Sequence, residues 1–501
     1  MRENQDLILT IDVGTTNLKC ILHQSNGRPM AALTHSHPTT FPHPAHAEQL
    51  PSTWIENLKQ LLKAMSTEYS EWFAHLQGIS LTGQMHGPVC LGKTGEVLFP
   101  CIIWSDTRAR NEATFLKQQF SDEFFLQVTG NPVQESFTLP KILWLKNHQP
   151  DLYRQITTIL FPKDYLGYRL TGSITTDHSD ASGSLLYDLH RKSWSEDLIM
   201  NLGIDPRILP PIVDSDTIIG HITQEASEAF HIPFGIPVIK GGGDLATTAL
   251  ATGAGSKETI SLCIGTAAQL LMRVKTTPEH FMGKLYRFAH CIKNASFYLG
   301  TVPTGGSSLQ WLTSLLGKDA TEELYHELDT LTKIPLDRHL LFYPYLMGSG
   351  TPHFDYQVQG AFLGLQIYHH SRDLALAIME GVTMALKESL DCITDQEIQK
   401  VIMSGGAVRF TIWPRIVSQI FQLPVTIAKY SDSASFGAFL LAAHSFNYID
   451  NFEKVDDMIT TAETYFPEPD LVRYYEKMYN AYKSYWSAIH DYPKFFLSST
   501  D

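Results

Sequence analysis

A short apolar run, Leu7-Ile-Leu-Thr-Ile11, ends in Asp12-Val-Gly-Thr-Thr16, and a second β-rich run, Leu18 to Leu22, leads to the turn pair Asn26-Gly27. That order predicts a strand, a tight polar turn and a returning strand. Gly14 opens backbone conformations closed to other residues, so successive N–H groups at the turn can converge on an anion. Thr15 and Thr16 add hydroxyl donors, and Lys19 lies just downstream. Asp12, at the strand end, can orient a magnesium ion through its waters, because Mg2+ keeps several waters and takes one or two carboxylates. An ordinary hairpin with a polar turn fits the same residues, and both readings stand.

Further strand-like runs at 78–81, 156–161 and 237–240 are interleaved with helical patterning, as in the apolar positions 54, 55, 58, 61 and 62. Alternation of this kind predicts α/β architecture. Thr259-Ile-Ser-Leu-Cys-Ile264 followed by Gly265-Thr266 repeats the strand-then-Gly-Thr pattern of the N-terminus in weaker form, a hint of two related lobes. The glycines of Gly241-Gly-Gly-Asp244, just before it, suit a hinge or the lip of a cleft.

Composition narrows the function. With 38 Lys+Arg against 52 Asp+Glu the net charge is −14, which argues against a nucleic-acid partner. No apolar run approaches the roughly 20 residues that span a bilayer, and the N-terminus does not read as a signal peptide. The six cysteines show no CxxC and no dense spacing, so reduced, mostly buried thiols are expected. The expectation is a soluble, cytoplasmic, multi-domain globular protein. A homodimer is compatible with the sequence, which does not set the oligomeric state.

Gly87-Pro-Val-Cys-Leu-Gly92-Lys93-Thr94 satisfies the letters GxxxxGK[ST]. Its interior is strand-like, however, and Gly95, a β run and Pro100 stand where a phosphate-binding helix should begin. A hairpin with a turn over 92–95 is predicted instead. Asp244 offers a carboxylate free of neighbouring side-chain bulk, suited to a general base, or equally to capping the helix that comes next. Gly83-Gln-Met-His-Gly87 suits a loop on a polyhydroxylated ligand, or a turn with a satisfied His86. His35, His37, His43 and His46 lie among Pro38, Pro42 and Pro44 and read as loop rather than metal ligands.

Five segments stand in order along nearly the whole chain: Asp12-Val-Gly-Thr-Thr-Asn-Leu-Lys19, Ser136 to His148, Ile264-Gly-Thr266, Gly360-Ala-Phe-Leu-Gly-Leu365 with Asp373 and Glu380, and Ser404-Gly-Gly-Ala407 with Trp413. Together they resemble the FGGY carbohydrate kinases of the actin/hexokinase-like ATPase superfamily. Gly83 to Gly87, Trp104 to Ala109, Pro162 to Leu166, Ser179 to Gly183 and Thr351-Pro-His353 are similar to segments of the xylulokinase subgroup.

The resemblance implies two ribonuclease-H-like lobes around a central cleft, residues 1–252 and 253–501. It also implies ATP and Mg2+ as cofactors and a small ketose, D-xylulose first, as acceptor. Asp244 becomes the base and Asp12 the residue beside Mg2+. Gln84, Met85, His86 and Trp104 line the sugar, and Gly14, Thr15, Thr16, Lys19, Gly265 and Thr266 hold ATP phosphates. Gly405, Gly406 and Ala407 lie against the adenosine. Departures from the family pattern are Leu245 where a polar residue usually succeeds the base, the missing Glu-Arg pair before Thr351, and Gln419 and Gln422 in place of Asp and Gly. Sedoheptulose, ribulose or a polyol are the rival acceptors. A non-catalytic sugar or nucleotide sensor is a rival of another class, disfavoured because a pure binder has no need of a base.

Overall fold

The structure is a computed structural model that describes residues 6–274, 283–331, 333–336, 338–393, 397–430, 432–452 and 455–493. The chain forms two compact units: Met1–Ala251 with Arg287–Phe297 and Asp432–Met458, and Thr252–Tyr286 with Tyr298–Ser431 and Ile459–Asp501. The single boundary after 252 expected from sequence thus describes the chain only in outline, because two later segments join the first unit.

The first unit is built on a six-stranded sheet. Its central three strands, Leu7–Val13, Leu76–Gly83 and Pro237–Gly243, run parallel. Asn17–Gln24 and Pro29–Ser36 extend one side antiparallel, and Ile218–His221 closes the other. The parallel strands are buried on both faces, and Leu7–Val13 reads as a nearly continuous apolar run. Helix Pro51–Glu68 buries Trp54, Ile55, Leu58, Leu61, Leu62 and Met65, the stripe anticipated from its spacing.

Helix Ser433–Ser445 explains why the chain returns to this unit. Phe436, Ala438, Phe439, Leu440, Leu441, Ala442 and Ala443 are all buried, so it is apolar nearly all round and needs an interior site. It finds one against the three parallel strands and helix Asp244–Ala251. A β-carbon on Gly437 would lie 1.9 Å from the carbonyl oxygen of Thr247, so only glycine admits that approach.

The second unit repeats this topology. In its seven-stranded sheet, Thr259–Ile264 pairs antiparallel with Ala268–Arg273 on one side and parallel with Lys400–Ser404 on the other. Val425–Ala428 comes next in parallel and Thr460–Tyr465 closes the edge antiparallel, as Pro237–Gly243 and Ile218–His221 do in the first unit. The repeat hinted at by two Gly-Thr pairs is therefore a repeat of strand order. Helix Ser371–Asp391 carries the core of this unit, and its Glu380 is tied to Arg338 and accepts from Tyr475 Oη at 2.7 Å.

The GxxxxGK[ST] segment is a hairpin. Val89–Leu91 pairs with Thr158–Leu160, Leu91 bridges Val97, and the turn closes through Gly95 N–H to Gly92 O at 3.0 Å. The glycine run 241–243, which suits a hinge or a lip, is the end of a central strand. All six cysteines are free thiols, four buried and two half-buried. No helix among the described residues is long and apolar enough to cross a membrane.

Candidate active site

Every carbonyl of the turn 14–16 is taken from behind. Gly14 O accepts from His37 Nε2 at 3.0 Å, Thr15 O from Gln49 Nε2 at 2.6 Å, and Thr16 O from His37 N–H at 3.0 Å. The Gly14 N–H closes the turn on Asn17 O at 3.0 Å, so an anion at this turn would meet the N–H groups and hydroxyls of Thr15 and Thr16. Asp12 stands opposite Lys19 in the hairpin, and the Lys19 ammonium is paired with Asp432, at the start of the helix that rejoins this unit.

Asp12 Oδ1 is buried with no hydrogen-bond partner. Burial pushes this carboxyl up to about 6, opposed by Lys19 and reinforced by Asp432. An orphaned carboxylate oxygen beside an anion-receptive turn fits a hydrated magnesium ion. Asp244 opens helix Asp244–Ala251 and accepts from the Leu245 N–H at 2.8 Å. Burial, then the charge of Asp12, push it up to about 7.

The strand between these two ends in Gly83 and continues into Gln84-Met85-His86. Gln84 is turned toward the phosphate turn, donating to Gln49 Oε1 at 2.8 Å and lying 3.5 Å from Gly14 O. Trp104 is half-exposed and donates from Nε1 to Thr15 Oγ1 at 2.9 Å. Met85 packs against Gly243 and Gly183. His86 adopts φ 69° and places Nδ1 2.6 Å from Gly183 O. Burial pushes its imidazole down to about 4 against that hydrogen bond, so the ring is neutral at pH 7. Because a carbonyl can only accept, the proton sits on Nδ1 and leaves Nε2 an acceptor.

The second unit repeats the device. Gly265 O accepts from Gly306 N–H at 2.7 Å, and Thr266 O accepts from Gly305 N–H and Ser307 Oγ, each at 2.9 Å. A β-carbon on Gly306 would fall 2.6 Å from Gly265 O, so the pair Gly305-Gly306 is required by the turn it backs. Gly405, at φ 87°, passes equally close to Ile264 O, while Gly406 faces open space and Ala407 is buried. Gln419 is not turned to a ligand: it donates to Phe466 O and accepts from Glu468 N–H. Gln422 takes the left-handed position after helix Ile412–Phe421, where glycine is usual.

Several of these residues were not singled out from the sequence: Gln49, Asp432 and a buried ionic cluster in the first unit, and Gly305 and Gly306 in the second. In that cluster Lys163 lies within 3.1 Å of carboxylate oxygens of Asp164, Asp177 and Asp180, and Lys240 within 2.6 Å of Asp164, all five side chains wholly buried. The three carboxylates converge as metal ligands would, but the two ammonium groups supply the positive charge. The sequence singles out the segments 162–166 and 179–183 only by resemblance, and nothing in their spacing shows that they meet.

Residues 7–251 match the N-terminal domain of the FGGY family of carbohydrate kinases, and residues 260–446 its C-terminal domain. The chain belongs to the FGGY family of carbohydrate kinases. It is an ATP-dependent carbohydrate kinase with the actin/hexokinase-like ATPase fold. A xylulose kinase of Staphylococcus xylosus is 31% identical over 481 residues, covering 95% of this chain and 99% of that one. A xylulose kinase of Lactococcus lactis is 32% identical over 482 residues, covering 95% of each. A Brucella ovis structure described as a xyloylose kinase superposes with a TM-score of 0.90 at 29% identity, covering 97% of this chain and 99% of its own. A gluconokinase of Bacillus subtilis is 26% identical over 483 residues, covering 94% of each.

Proposed function

We propose that this FGGY kinase transfers the γ-phosphoryl group of ATP to the terminal hydroxyl of a small ketose, D-xylulose giving D-xylulose 5-phosphate. The observation that carries the reading is Asp244, a carboxyl raised to about 7 beside Asp12 at the ends of parallel strands, in a chain whose full-length relatives include xylulose kinases. Ligand sites of open α/β sheets lie at such strand ends.

In this reading Asp244 accepts the proton of the terminal hydroxyl as that oxygen bonds to the γ-phosphorus. The bond from this phosphorus to the β–γ bridging oxygen breaks, and ADP leaves. The turn at Gly14, through the N–H groups and hydroxyls of Thr15 and Thr16, with Lys19, holds phosphate oxygens, and the second unit's own turn at Gly265 and Thr266 suits phosphate in the same way. Gly405, Gly406 and Ala407 offer the adenosine a surface without bulk. Asp12 would hold magnesium through water, and the ion would neutralise charge on the phosphates. Met85 and His86 receive the sugar, His86 Nε2 accepting from a hydroxyl. The reaction belongs in the cytoplasm, where ATP and free sugar meet.

Release of ADP from MgATP, measured across D-xylulose, D-ribulose, sedoheptulose, L-xylulose, glycerol and gluconate, tests the proposal. Strong stimulation by D-xylulose is the expected result. A different best acceptor would replace the sugar and keep the chemistry, and no stimulation by any would overturn D-xylulose as the acceptor and point to a sugar outside the panel or to a sensor.

A further inference from the structure

The base sits at the end of an irregular strand. Register against Leu76–Gly83 shifts between Ile239 and Gly242, and Gly241 stands at φ 71° with its α-carbon so close to Leu81 that a β-carbon would fall 1.5 Å from the Leu81 carbonyl oxygen. A bulge of this kind breaks the hydrogen-bond ladder and re-aims the residues beyond it, here Asp244. The two ends of the bulge find their partners outside the sheet. Gly241 N–H donates to Ser215 O at 2.8 Å, and Gly243 N–H donates to Ser179 Oγ at 2.9 Å.

Both serines converge on one carboxylate. Asp177 Oδ2 accepts from Ser179 Oγ at 2.5 Å and from Ser215 Oγ at 2.8 Å, while Asp177 Oδ1 lies 2.8 Å from the Lys163 ammonium. Asp177, Ser179 and Lys163 are wholly buried and Ser215 nearly so. The helix His178–Ser182 that carries Ser179 ends at Gly183, whose carbonyl holds His86. One short segment therefore touches the arm that carries the base and the arm that receives the sugar.

Resting on the kinase reading above, we infer that Ser179 is a positioning residue for Asp244. Its hydroxyl, oriented by Asp177 and through it by Lys163, pins the Gly243 N–H and so fixes where the base stands relative to Met85 and His86. Ser179 touches no substrate. It acts through the backbone, and a displacement of about 1 Å in a reacting group can cost on the order of 10²-fold in rate. Ser215 secures the other end through its carbonyl, which survives loss of its side chain.

The test compares Ser179→Ala, Ser179→Thr and Ser215→Ala in the full chain. Ser179→Ala is expected to lower kcat roughly 10- to 10²-fold and leave KM for ATP within about twofold, because the base moves while the nucleotide contacts stay. Ser179→Thr keeps the hydroxyl and is expected to recover most of kcat, and Ser215→Ala to lie between Ser179→Ala and the parent. A crystal structure of Ser179→Ala reads the position of Asp244 directly, whatever the turnover, and a shifted 241–244 backbone is expected. An unmoved backbone overturns the inference, as does a fall in kcat matched by an equal rise in KM for ATP. Absence of sugar-stimulated turnover in the parent overturns the kinase reading alone, and the structural comparison still decides the role of Ser179.

Discussion

Asp244 lies within electrostatic reach of Asp12, with the end of one strand, Thr82-Gly83, between them in the sheet. In register, Asp12 is level with Thr82, and Gly243 with Gly83, so both acids leave the sheet at nearly the same height. Their likeness of charge, added to burial, is what places Asp244 near 7.

As the proposed base, Asp244 works only when ionised, and a carboxyl raised to about 7 then gives kcat/KM an acid limb. Activity is expected to rise with pH through about 7, and Asp244→Ala to lower kcat by roughly 10²–10⁴ while ATP binding survives. The same shift has a stability consequence. An acid whose folded pKa exceeds its unfolded value binds more protons when native, so folding loses stability as pH rises from about 4 to about 7. Asp244→Asn is expected to raise Tm at pH 8, with the gain gone by pH 4, as thermal unfolding at the two pH values will read.

Removing the Asp12 charge tests the coupling from the other side. Asp12→Asn is expected to move the titration of Asp244 below 7, because one of the two causes that raise it is gone. Carboxyl NMR on the ligand-free protein measures this without turnover. An unchanged midpoint would mean that burial alone sets the base. The same variant is expected to need far more Mg2+ for any remaining activity.

Lys19 is held beside Asp12 by Asp432 and opposes the upward shift of Asp12. Lys19→Met is expected to raise KM for ATP on the order of 10-fold or more, the loss of one charge-assisted contact. It is also expected to push the Asp12 titration higher. An ATP titration and carboxyl NMR check the two effects separately.

How much of this the sequence makes legible depends on how local each feature is. The hairpin from Leu7 to Gln24, the helix around Trp54 and the strand Val89–Leu91 of the false phosphate loop are set by neighbours in the chain and stand in the structure, whereas the expected return strand 97–99 is reduced to one bridge at Val97. The roles of Asp432 and Ser179 cannot be read that way, because their partners, Lys19 and Gly243, lie 413 and 64 residues away. The glycines at 241–243 carry no side chain to show a period, so a bulged strand end and a hinge look alike. Gln419 and Gln422 read as departures in a nucleotide segment, yet each binds within its own unit, to Phe466, Glu468 and Glu476.

Gly437→Ala asks how tightly the returning helix is seated. The added carbon would lie 1.9 Å from Thr247 O, in the helix that Asp244 opens, and backbone on both sides leaves little to give. Overpacking at such a contact costs about 1–3 kcal/mol or more. A Tm lowered by several degrees is expected, with kcat lowered as well because the base helix must shift. Full activity at an unchanged Tm would show that the two helices slide freely.

Leu245 tests where the sugar meets the chain. Its backbone N–H is spent on Asp244 Oδ1, so substitution changes only the side chain, which is half-buried beside the base. Leu245→Asn offers a donor and an acceptor where the parent offers neither. If that side chain faces the acceptor, a gained hydrogen bond to one hydroxyl discriminates between ketoses that differ there, by about 10-fold or more in kcat/KM. The ratio of kcat/KM for D-xylulose to that for D-ribulose is expected to change accordingly, with the pH midpoint near 7 kept, because the asparagine adds no charge beside Asp244. A constant ratio would mean that the side chain points away from the sugar and that acceptor choice rests on Met85 and His86.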